Sequence, residues 1–67
     1  MKIRNGSIYS YHGVTVRTIM RTDNGLRLVQ SATKMNGFAQ EADLKKADRK
    51  AVRSYIDKVR ELRRVKN

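Results

Sequence analysis

VTVRTIMRTDNGLRLVQS, Val14 to Ser31, decides the architecture of this chain. Val, Ile and Thr recur through it, as strands prefer. Asp23-Asn24-Gly25 interrupts it with a strong hairpin-turn signal. A three-residue loop with Gly25 in the left-handed region sets Met20 opposite Leu28, Thr22 opposite Leu26 and Arg21 opposite Arg27. The same register predicts Ile19 opposite Val29, Arg17 opposite Ser31 and Val16 opposite Ala32. A two-residue Asn24-Gly25 turn would pair Arg21 with Leu28 and mix the faces, so the longer loop is preferred.

Upstream, His12-Gly13 reads as a two-residue turn that places Tyr11 beside Val14 and Tyr9 beside Val16. Three antiparallel strands follow: Ile8–Tyr11, Val14–Thr22 and Leu26–Thr33, within residues 8–33. One face then carries Tyr9, Tyr11, Val14, Val16, Met20, Leu26, Leu28 and Ala32, the expected core side. Thr18 and Gln30 oppose each other at its rim. The other face carries Ile8, Ser10, Thr15, Arg17, Ile19, Arg21, Arg27, Val29 and Ser31. Residues 1–7 are expected as a flexible start. Residues 34–42 read as a loop or a short edge strand, with Asn36-Gly37 as a turn into Phe38–Glu41.

Downstream, residues 43–65 read as one helix with Asp43 as N-cap. Leu44, Ala47, Ala51, Val52, Tyr55, Ile56, Val59, Leu62 and Val65 share one half of the helical wheel. Asp48 intrudes on that half, and a helix over 43–65 gives it no role. The opposite arc collects Lys46, Arg49, Lys50, Arg53, Arg60 and Arg64, with Asp57 the only acid. Arg53 and Asp57 stand at i,i+4 spacing. The expected fold is α+β: a three-stranded antiparallel sheet followed by one long C-terminal helix packed on one sheet face. Met20, Leu28, Val16, Tyr55 and Val59 would share its core. A single helix covers one side, so the arginine-bearing sheet face is expected to stay open.

The chain has 67 residues, which bounds it to a single small domain. It has no Cys, which removes disulfides, thiolate metal sites and thiol nucleophiles together. His12 is the lone histidine and sits in a turn, so no metal site or acid–base pair is expected. No phosphate-binding loop, paired-carboxylate or triad signature is present, and the reading is of a non-enzyme without cofactors. No apolar run is long enough to span a membrane. No signal peptide is read at the start, and the expected location is cytoplasmic, with the nucleoid if the partner is DNA.

Charge is the strongest functional signal. Sixteen Lys+Arg against six Asp+Glu leave a formal net charge of +10. That exceeds the magnitude of about 2–8 that suffices for solubility in a small domain. A polyanionic partner is implied, nucleic acid first. Two surfaces are candidates. Arg17, Arg21 and Arg27 on the open sheet face suit base edges, with Ile19 and Val29 between them. Lys46, Arg49, Lys50, Arg53, Arg60 and Arg64 on the helix suit phosphates. DNA is favoured over RNA. An acidic protein or self-association through the open sheet face is the alternative. A membrane partner is not expected, because the apolar helix face is needed to cover the sheet.

Three antiparallel strands, a packing helix and arginines on the open face resemble the arm-type and AP2-like DNA-binding modules of phage integrases and some plant factors. The resemblance covers about Ile8 to Leu62 and is one of faces rather than of a sequence motif. It implies that Arg17, Arg21 and Arg27 enter a major groove, and that the chain is an accessory factor of a phage or mobile element.

Overall fold

The computed structural model describes residues 2–65. Its elements are β1 (Ile8–Tyr11), β2 (Val14–Arg21), β3 (Arg27–Ser31), β4 (Asn36–Ala39), a 3-10 turn (Glu41–Asp43), β5 (Leu44–Lys46) and α1 (Arg49–Val65). The strands form one antiparallel sheet in the order β4-β3-β2-β1-β5. The α+β class stands, with five strands where three were expected.

Glycine turns set the two hairpins as their local sequence dictates. His12 and Gly13 both take positive φ, +48° and +82°, the two-residue turn whose twist matches its strands. Tyr11 duly faces Val14, and Tyr9 faces Val16. Gly25 has φ +80°, and the Thr22 amide donates to the Leu26 carbonyl at 2.8 Å. Arg21 faces Arg27 and Met20 faces Leu28. The third turn is not at Asn36-Gly37, which lies inside β4. Lys34 turns the chain instead, with φ +67°.

The register then slips. Between Thr18 and Met20 the β2–β3 ladder is irregular, and Ile19 is the extra residue of a bulge. Below it, Val16 faces Ser31, Arg17 faces Gln30 and Thr18 faces Val29, not Ala32, Ser31 and Gln30 as the unbulged register predicts. One inserted residue exchanges the two faces. Val16, Thr18 and Val29 therefore point to the same side as Tyr9, while Met20, Leu28 and Phe38 point to the side of Arg17.

Among the described residues one apolar cluster joins Ile3, Tyr9, Val16, Val29, Ala39 and Leu44. Each strand contributes one residue and the N-terminal segment adds Ile3. Both edge strands reach this cluster, so the sheet curls around its own core. Met20 and Leu28, expected here, lie outside it: Met20 is 49% exposed and Leu28 is half-buried.

The start of the chain belongs to the fold rather than hanging from it. Thr18, fully buried, donates its hydroxyl to the Arg4 carbonyl and lies 3.2 Å from the Ser7 carbonyl. The Tyr9 hydroxyl accepts the Arg4 amide at 3.0 Å. Thr18→Val keeps the shape but leaves the Arg4 carbonyl without its donor. Denaturant unfolding should show a loss of about 1–3 kcal/mol; an unchanged midpoint would mean the hydroxyl does not hold the segment.

Leu44, Lys45 and Lys46, read as helix, pair as β5 with Tyr11, Ser10 and Tyr9. The helix starts at Arg49, and Asp48 is its cap. Its Oδ1 accepts the Ala51 amide at 2.7 Å and its carbonyl accepts the Val52 amide at 3.0 Å. Asp43 instead closes the 3-10 turn, its amide donating to the Gln40 carbonyl.

The helix lies on the sheet face that was expected to be open. It contacts β2, and the Tyr55 hydroxyl donates to the Gln30 carbonyl at 3.0 Å. Tyr55 is buried, with Ala51, Val52, Ile56, Val59 and Leu62 half-buried beside it. Val16 and Tyr55 thus pack on opposite sides of the sheet. Among the described residues no helix is long and apolar enough to cross a membrane.

Candidate functional site

The three sheet arginines part company. Arg27 is consumed internally, its side chain only 11% exposed. Its Nε donates to Glu41 Oε2 at 2.6 Å, Nη1 to Asn5 Oδ1 at 2.8 Å and Nη2 to the Ile3 carbonyl at 3.1 Å. A guanidinium has five donors in a rigid fork, and here it clasps the N-terminal segment to the 3-10 turn. Arg21 is exposed, but the bulge places it on the face opposite Arg17. No groove-reading row of Arg17, Arg21 and Arg27 is assembled.

Arg17 enters a different constellation. It lines a groove of about 160 Å³ between sheet and helix, with Tyr55, Ile56, Val59, Arg60 and Arg63. All three arginines of this groove are exposed. None has a hydrogen-bond or ion-pair partner among the described residues. The groove floor is the neutral Tyr55 phenol. Burial pushes its pKa above the usual value, while the positive charge of Arg17 pulls the other way. A phenol held neutral and already donating to Gln30 does not cancel the charge around it.

From this groove a ridge continues along the helix. At 100° per residue, Arg49, Arg53, Arg60 and Arg64 fall within about 60° of one another, and all four are exposed. Lys50 flanks them. Lys46 lies on β5, not on the helix, and lines a second surface groove with Ala47, Asp48, Arg49 and Val52. The acids do little to neutralise the ridge. Glu41 is taken by Arg27, Asp43 lies 3.7 Å from His12, and Glu61 reaches Lys58 only at 4.0 Å. The Arg53–Asp57 ion pair suggested by their spacing is not formed.

Arg63 was missed in the sequence because it borders the apolar arc beside Ile56. Only the placement of the helix over Arg17 turns that border inward, toward a groove. Among the described residues no group of three or more His, Asp or Glu side chains could hold a metal. Comparison of the chain with family models, with curated proteins and with solved structures finds no match.

Proposed function

We propose that this protein binds nucleic acid by its phosphates, duplex DNA foremost, without reading base sequence from the sheet. The observation that carries this is the convergence of unpaired Arg17, Arg60 and Arg63 on one groove, continued by Arg49, Arg53 and Arg64 along the helix. Guanidinium forks match phosphate oxygens in pairs. The ridge from Arg49 to Arg64 extends about 22 Å at 1.5 Å per residue. A straight, rigid row of that length favours the regular phosphate lattice of a duplex over a flexible single strand. Base-specific contacts from Arg21 and Arg27 have no place in this proposal, because one faces away and the other holds the fold together.

The test is a titration against duplex DNA, duplex RNA and single strands over a range of salt. Log affinity should fall linearly with log salt, by about 0.9 per phosphate contact on duplex DNA, and two unrelated duplexes should bind alike. Absence of binding at about 50 mM salt would overturn the proposal. Equal affinity for polyglutamate would reduce it to unselective charge.

A further inference from the structure

We infer that β4 is the pairing edge of a symmetric dimer, with a second copy of this chain as its partner. The sheet has two edges, and they are built differently. β5 carries exposed Lys45 and Lys46, the charges with which proteins discourage edge pairing. β4 is Asn36-Gly37-Phe38-Ala39, with neither charge nor proline.

Its main chain is also set for pairing. The Ser31 amide donates to the Met35 carbonyl at 2.9 Å, and Val29 faces Gly37 while Arg27 faces Ala39. Bonded and non-bonded pairs alternate in an antiparallel ladder. Gly37 and Ala39 therefore bond toward β3, and Asn36 and Phe38 turn their N–H and C=O outward. No described strand or loop takes those groups.

The side chains agree. Phe38 is 61% exposed and stands beside Leu28, which stands beside Met20. The Asp23-Asn24-Gly25 turn sets Met20 beside Leu28, and the Ile19 bulge turns that pair away from the core cluster. An uncharged apolar row thus runs across three strands and ends at the unprotected edge. Nothing in it would answer the charge of a polyanion or an acidic peptide. The same edge turned about a two-fold axis does complement it. With the axis through Gly37, Asn36 of each copy faces Phe38 of the other, and four main-chain hydrogen bonds form. Glycine faces glycine at the centre, and the two apolar rows merge. The helix meets the sheet at β2 and, through Tyr55, at Gln30 of β3, and Arg63 shares a groove with Lys34 at the turn into β4, so basic charge stands near the joint.

Two highly cationic copies repel each other, and salt screens that repulsion. Dimerisation should strengthen from about 0.1 M to about 1 M salt, as the Debye length falls from about 10 to about 3 Å. Nucleic-acid binding should weaken over the same range, so failure of either proposal is distinguishable from failure of the other. Sedimentation velocity of the full chain should show a dimer that grows with salt and protein concentration. Phe38→Lys, at an exposed position, should remain a monomer with an unchanged circular dichroism spectrum. Amide exchange gives an independent measure: Asn36 and Phe38 should be protected in the dimer and unprotected in Phe38→Lys. A wild-type chain that stays monomeric at every salt concentration with both amides unprotected would overturn the inference. So would a dimer that leaves these amides unprotected, or protection that appears only when a single-stranded oligonucleotide is added.

Discussion

Leu44→Ala should lower the free energy of unfolding by about 2–5 kcal/mol, the range for truncating a buried leucine. Leu44 is 3% exposed and belongs to the central cluster. The same change at half-buried Leu28 should cost only about 1 kcal/mol, the span of strand preference at an open position. The two variants separate two architectures. Were residues 43–65 one helix over a core of Met20 and Leu28, Leu28→Ala would be the damaging change. Denaturant midpoints of both variants decide it, and a larger loss at Leu28 would refute the five-stranded arrangement.

Combining Arg17→Ala, Arg60→Ala and Arg63→Ala should reduce the salt slope of duplex binding by about three units. Three phosphate contacts at about 0.9 each amount to about 3 × 10³-fold between about 1 M and about 50 mM salt. The triple variant should therefore lose about that much affinity in dilute buffer, on every duplex alike. Arg27→Ala is the contrasting control. It should weaken the fold by releasing Glu41, Asn5 and the Ile3 carbonyl, yet leave the affinity of the folded fraction unchanged. If Arg27→Ala weakened binding while the triple variant did not, the groove would not be the binding surface.

What the sequence revealed was local. His12-Gly13 and Asp23-Asn24-Gly25 each determine a turn within a few residues, so both hairpins are legible. The Ile19 bulge is not, because no glycine marks it and Ile suits a regular strand equally well. That one residue moved Met20 and Leu28 out of the core and parted Arg21 from Arg17. β5 was hidden because Leu and Lys favour helices and its partner β1 is distant in sequence. Yet Asp48 was a legible signal: an acid on an apolar helical face makes sense as the residue before the helix. The basic helix residues were visible by periodicity, whereas their meeting with Arg17 depends on which sheet face the helix covers.

The pairing of β5 with β1 also sets an order of assembly. Hairpins of this kind form in about 1–10 μs, and β1, β2, β3 and β4 follow one another through such local turns. Tyr11 meets Leu44 only after a much longer loop has closed, at an entropic cost that grows with the logarithm of its length. The meander is therefore the early unit, and seating of Leu44 is the late, committing step. The reverse path matters equally. Because β5 is an edge of three residues paired only with β1, a local opening there frees that strand and leaves the meander standing, with the helix still held on β2 and by Tyr55 on the Gln30 carbonyl. Such sub-global opening would uncover Tyr9 and Tyr11 together, so proteolytic sensitivity in this chain should begin between the 3-10 turn and the helix rather than in the hairpins.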